Sequence, residues 1–176
     1  MKRVILITSV LCLLSCAGPS KTGQLARKKA YARMDVVNAD LASQQAMQQF
    51  EVGQLKAAIT TIDIAIDRYP DKSSYHQLRG RILLEQHKLD DALRAFETAS
   101  TLDPESAEPH YLLGVLHQRW GDDHTALQSY TSACQNDPSH AQFFIARAET
   151  LTALNRDVEA IELLLSNHQF QHQASI

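Results

Sequence analysis

Histidine and cysteine are the side chains with the most chemistry to offer in this chain: its 176 residues include eight of the first and three of the second. His168 and His172 stand four apart, a spacing that sets two imidazoles on one face of a helix, as a metal site requires. No cysteine, aspartate or glutamate accompanies them, so metal binding is a remote alternative and no metal ligand is assigned. Cys134 reads as a small buried apolar residue rather than a reactive thiol. A glycine-rich phosphate loop, Gly-x-Ser-x-Gly and His-Glu-x-x-His are all absent. No catalytic residue is assigned, and an enzyme would need a convergent polar cluster that the sequence does not offer. Seventeen basic against twenty acidic side chains give a net charge of −3, the wrong balance for a nucleic-acid binder. Three cysteines cannot form a disulfide framework. Alanine and leucine number 22 each, against six glycines and five prolines, which favours an all-α chain with one core.

Cys16 has the most specific surroundings. A positive start, Met1-Lys2-Arg3, precedes a 12-residue apolar run from Val4 to Ser15. A membrane-spanning helix needs roughly 20 apolar residues, so the run is short for a span and long enough for a secretory core. It ends Leu13-Leu14-Ser15-Cys16, which resembles the lipobox of bacterial lipoproteins. That resemblance implies cleavage before Cys16, leaving 1–15 as signal peptide, and a diacylglycerol on the Cys16 thiol with palmitate-type acylation of the freed amine. The covalent lipid would be the chain's membrane anchor, and no separate cofactor is expected. Ala17 stands where aspartate would hold a lipoprotein at the inner membrane, so the resemblance favours the outer membrane if the organism has one. Residues 16–23 then read as a lipidated tether. The basic run Arg27-Lys28-Lys29 with Arg33 has two readings, contact with anionic lipid headgroups or wall polymers, and a solvated helix face.

The elements that position everything else repeat every 34 residues. Pro70, Pro104 and Pro138 keep that step, as do Ala58, Ala92, Ala126 and Ala160, Ala65, Ala99 and Ala133, and Gly80 with Gly114. Ile62, Phe96, Tyr130 and Leu164 recur in the same way. The pattern resembles the tetratricopeptide repeat. That resemblance implies an all-α, right-handed α-solenoid of antiparallel helix pairs with about four units, the last incomplete: an N-terminal helix at 24–38, then 39–72, 73–106, 107–140, and 141–176 with the tail. Helices are expected at 24–51 (in one piece or broken), 55–68, 73–86, 89–102, 107–120, 123–136, 141–154 and 157–168. Small residues such as Gly80 and Ala92 would let paired helices approach, while Phe96 and Tyr130 fill the space between them. His76 and His110 occupy a position where the family has a large buried residue and read as filler between helices. The turns fall at Gly53, His87, Gly121 and Asn155, types that tolerate a left-handed backbone. Ser139 and Gln142 have capping-box spacing. The first repeat is weak, with Gln45 and Gln49 where apolar residues are usual.

The resemblance implies a concave groove lined by the first helix of each pair. Its candidate protein-binding residues are Gln77, Arg81, Leu84 and Glu85, then Tyr111, Val115, Gln118 and Arg119, then Ile145, Glu149 and Thr152. Tyr111 and Arg119 are the foremost single candidates, replaceable in principle without much loss of stability. The set suits an extended peptide or partner helix and lacks the lysines and asparagines with which related repeats clamp a C-terminal carboxylate. The implied function is a non-enzymatic, membrane-anchored adaptor holding a protein partner in the bacterial cell envelope, as small repeat lipoproteins do when they assist assembly of pili or other envelope complexes. The alternative is structural: self-assembly through the last repeat, where Ile161, Leu164 and Leu165 would be partly uncovered.

Overall fold

The computed structural model describes residues 20–166. The apolar run, Cys16 and the His168/His172 pair therefore lie outside the described residues. Eight α-helices and no strand are found among those described: α1 Lys21–Glu51, α2 Leu55–Arg68, α3 Ser73–Glu85, α4 Leu89–Leu102, α5 Ala107–Trp120, α6 Asp123–Asn136, α7 Ala141–Ala153 and α8 Asp157–Ser166. Six of the seven helices after α1 start and stop within a residue of the expected bounds; α8 is described as far as Ser166. The N-terminus differs. The helix begins at Lys21, inside the expected tether, with the Ser20 hydroxyl accepting the Gly23 N–H at 3.1 Å, and it runs in one piece to Glu51, the first of the two forms expected for it.

Four turns join the helix pairs, and all four use the same backbone device. Gly53, His87, Gly121 and Asn155 sit at φ of 75°, 59°, 76° and 58°. The N–H of the following residue then reaches back to a carbonyl in the last helical turn, as from Asp122 to His117 and from Arg156 to Leu151, each at 2.9 Å. That is the left-handed closure that spends the orphan carbonyls of a helix end. The second helix of each pair ends differently. Tyr69, Asp103 and Asp137 are extended at φ between −135° and −146° because each precedes a proline, whose ring disfavours the helical conformation in the residue before it. The N-cap position of α7 falls at His140, one residue after Ser139, and Asp137 Oδ1 accepts both the Ser139 N–H and hydroxyl, at 2.9 and 2.6 Å.

Residues 20–34 and the chain from Asp35 onward are two compact units. In the first every residue is exposed, and the Arg27 guanidinium donates to the Tyr31 hydroxyl one turn on. In the second, the helices stack as an α-solenoid whose core is divided among the joints between repeats. Tyr75, Leu78 and Ile82 of α3 close over Ala46, Ala58, Ile62 and Ala65. Leu112 and Leu116 of α5 close over Leu83, Leu84, Ala92 and Phe96. Ala146 of α7 meets Ala126 and Tyr130, and Phe143 meets Ala133 and Cys134. The periodic alanines, including Ala99, are buried, and Ala160 packs with Ala148 and Leu151. The glycines are required by contact: a Cβ on Gly80 would lie 2.3 Å from the Phe96 ring, and one on Gly114 2.4 Å from the Tyr130 ring.

Candidate protein-binding surface

The first helices α3, α5 and α7 carry the residues expected to line a groove, and the structure sorts them into three kinds. Arg81 is half-buried, its guanidinium over the Phe50 ring at 5.4 Å and in no ion pair among the described residues. Glu149 and Thr152 are exposed, and Ile145 half-buried beside them. These four are open to a ligand.

A second group is committed to the fold. Tyr111 lies 5.7 Å from the Tyr130 ring and 5.1 Å from the Phe143 ring, so it wedges repeat 3 against repeat 4. Gln118 accepts the Tyr130 hydroxyl at 2.6 Å and donates to Thr150 Oγ1 at 3.1 Å, and Thr150 in turn donates to the Ala146 carbonyl at 2.8 Å. The chain of donors fixes the amide orientation. Burial raises the Tyr130 pKa, so its hydroxyl remains the donor that starts the chain. Leu84 is buried in the joint with α5. The idea that Tyr111 can be replaced without cost to stability is therefore corrected, because it is a packing residue between repeats.

The third group is paired at the surface. Arg119 donates to the Leu84 carbonyl at 3.3 Å and to Glu85 Oε1 at 3.1 Å, tying the end of α5 to the end of α3. Gln77 donates to Ser73 Oγ one turn back at 3.1 Å, and Val115 packs at the edge of two core clusters. The exposed Arg119–Glu85 pair contributes little to stability and remains available to exchange partners.

The two histidines read as filler are only half-buried. His76 bonds the Pro70 carbonyl at 2.7 Å through Nε2. It borders a polar hollow of about 590 Å³ with Asp63, Arg79 and Arg94, where Arg79 and Asp63 pair at 2.8 Å. Cys134 is buried and unbonded to sulfur, and its burial pushes the thiol pKa up, which disfavours the reactive thiolate. Among the described residues no three of His, Cys, Asp and Glu converge as a metal site, and no helix is long and apolar enough to cross a membrane.

Two features were not singled out in the sequence. Asp40 takes Lys72 and the Tyr75 hydroxyl together, clasping repeat 1 to repeat 2. The Lys72 hydrogen bond first, and Tyr75 second, hold the Asp40 carboxyl below its ordinary value. The offset of 32 to 35 residues is the available signal, since partners about one period apart face each other across a joint. The other feature is an open, mostly apolar concavity of about 660 Å³ on the last pair, floored by Ile145, Ala148, Ala160, Ile161 and Leu164 with Thr152 and the carboxylates of Glu149 and Asp157 also lining it.

Comparison with known proteins agrees with this architecture. Family models described as TPR repeat and as tetratricopeptide repeat match residues 80–121 and 107–140. Residues 80–140 thus carry tetratricopeptide repeats, and neither match is to a catalytic family. It is 23% identical over 131 residues to DnaJ homolog subfamily C member 3 of Mus musculus, covering 74% of this chain and 26% of that protein. It is 25% identical over 115 residues to tetratricopeptide repeat protein 33 of Xenopus laevis, covering 64% and 45%. The chain thus spans about a quarter of the length of the first of these relatives. Among solved structures, MamA superposes with a TM-score of 0.70 at 14% identity over 88% of this chain and 90% of that one. The first TPR of Spaghetti (RPAP3), bound to the HSP90 peptide SRMEEVD, gives 0.64 at 15% over 68% and 95%. At such identities the likeness is one of fold, and the fold is an all-α, right-handed solenoid.

Proposed function

We propose that this chain is a non-enzymatic scaffold, exported and held by lipid on Cys16 in a bacterial cell envelope, at the outer membrane where the cell has one. It holds a partner protein or an extended peptide against α3, α5 and α7, in the service of assembling a pilus or another envelope complex. The observation that carries the binding role is the set of side chains on first helices that the fold leaves uncommitted. Arg81 sits over the Phe50 ring at 5.4 Å and in no ion pair among the described residues, and Glu149 and Thr152 are exposed farther along. An arginine already ordered on an aromatic face loses less entropy when it takes up a carboxylate or carbonyl. The structure of the first TPR of Spaghetti (RPAP3) with its peptide supports the view that such an array accepts an extended chain. The envelope address rests on the sequence Leu13-Leu14-Ser15-Cys16 after a short apolar run.

Two measurements test the two halves separately. Growth with a clickable fatty acid should label the wild-type chain, and Cys16→Ser should abolish the label and move the chain out of the membrane fraction; unchanged labelling overturns the anchor. In-cell crosslinking should capture a protein with the wild type that is lost with Arg81→Ala/Glu149→Ala at equal expression and helix content. Identical capture by both overturns the groove.

A further inference from the structure

Each joint in the array is built from the same positions. The third, sixth and tenth residues of a first helix insert into the preceding pair: Tyr75, Leu78 and Ile82 at the first joint, Pro109, Leu112 and Leu116 at the second, Phe143, Ala146 and Thr150 at the third. All nine are buried. The equivalent residues at the start of the array, Leu41, Gln44 and Gln48 on α1, are all exposed, Leu41 by 63%. At the other end, the 660 Å³ concavity between α7 and α8 is the seat that would receive such a helix. Its Ile145, Thr152 and Leu164 correspond, one period on, to Tyr111, Gln118 and Tyr130, which α7 covers at the third joint. Ile161 in this seat is 58% exposed.

A second regularity identifies the occupant. The twelfth residue of each first helix meets the tenth of the next, and like meets like. Phe50 and Ile82 share one apolar cluster, Leu84 and Leu116 share the next, and Gln118 hydrogen-bonds Thr150 at 3.1 Å. Among the described residues the two unmatched members of the series are Thr152 in the seat and Gln48 on the exposed face of α1. They are again a hydroxyl and an amide, with roles exchanged. A seat awaiting an unrelated apolar helix would have no reason to place a hydroxyl there opposite a matching amide on its own chain.

We propose that the chain associates head-to-tail with copies of itself, the Leu41–Gln48 face of α1 in one copy seating between α7 and α8 of the next and continuing the inter-repeat joint across the contact. Gln48 donates to, or accepts from, Thr152, and Leu41 occupies the place of Phe143. The contact is heterologous, so it propagates into an open string or closes as a ring, according to the rotation between copies. Gln44 stands where Leu78, Leu112 and Ala146 stand inside the array, which makes this joint weaker than the internal ones and reversible with concentration.

Sedimentation of four samples of the full chain tests it: wild type, Leu41→Glu, Ile161→Glu, and an equimolar mixture of the two variants. Both substituted side chains are exposed, so each variant should keep the wild-type helix content and melting profile. Wild type should gain average mass with concentration, and each variant alone should stay a monomer. The mixture should reach the mass of a dimer and stop, because it contains one intact face and one intact seat. Wild type that remains monomeric overturns the proposal, as does a mixture that does. Association of Leu41→Glu alone as strong as wild type indicates seat-to-seat contact or adhesion through residues 4–15, and also overturns it. So does a chain ending at Ser166 that associates where the full chain does not, since the last ten residues would then be the occupant.

Discussion

Gly114 shows how two single-residue effects compete. Glycine inside a helix costs about 0.5–1 kcal/mol relative to alanine, so helix propensity alone favours Gly114→Ala. The added Cβ would lie 2.4 Å from the ring of Tyr130, which is 1% exposed and held by its bond to Gln118. Overpacking typically costs about 1–3 kcal/mol, and the ring has nowhere to move, so the steric effect wins. Urea unfolding should show Gly114→Ala less stable than wild type by about that amount; a more stable variant would mean that the ring can yield. Gln49 makes the opposite case. It replaces the apolar residue usual at its position, filled by Leu83 and Leu151 in repeats 2 and 4, and its buried Oε1 has no hydrogen-bond partner. Leaving a buried acceptor unmet costs about 1–3 kcal/mol. Gln49→Leu should therefore raise the urea midpoint by an amount corresponding to about 1 kcal/mol or more, and a lowered midpoint would show that the amide is in fact satisfied.

Between elements, each joint combines an apolar seat with at least one polar clasp, and the clasps differ in their response to pH. At the first joint Asp40 is ionised and bonded to Lys72 and Tyr75, which holds its pKa below the ordinary 3.8. A carboxyl depressed in the folded state contributes stability above its unfolded pKa and loses it as pH falls through the folded value. Both partners of the ion pair are about 40% exposed, which keeps the contribution at about 1 kcal/mol or less. Asp40→Asn should be slightly less stable at neutral pH and should decline less steeply on acidification below pH ~4. Parallel pH profiles for variant and wild type would remove Asp40 from the joint. The third joint relies on Tyr130, Gln118 and Thr150, uncharged groups with no titration near neutrality, so acid should loosen the first joint before the third.

Across the molecule, a stacked array has no shared centre, and each pair depends on its neighbours. Interior repeats are covered on two sides. Among the described residues α8 buries Ala160 alone, while Val158, Ile161 and Leu165 remain more than half exposed. Opening should therefore start at α8, whose amides should exchange hydrogen fastest within residues 35–166, with α3 to α6 slowest. If copies join head-to-tail, protection at α8 should rise with protein concentration while that of α4 and α5 stays constant. Exchange that is uniform along the array would mean that it unfolds as one cooperative block.

Much of this was legible in the sequence because a repeat reports its own geometry. Prolines, alanines and glycines at a fixed step of 34 located the turns and the close helix contacts, and the left-handed backbones at His87 and Asn155 followed from which residues tolerate them. Those features are local, or recur at one period, so they survive as spacing. What tertiary structure alone decided is how a position is used at each joint. Tyr111 and Ile145 are the same position one period apart, yet the first is wedged under α7 while the second borders an open seat, since a helix follows one and none of the described helices covers the other. The cause is that burial depends on the neighbour a residue meets, and Asp40, Gln118 and Thr152 take their roles from partners 12 to 35 residues away or from a face that no described helix covers.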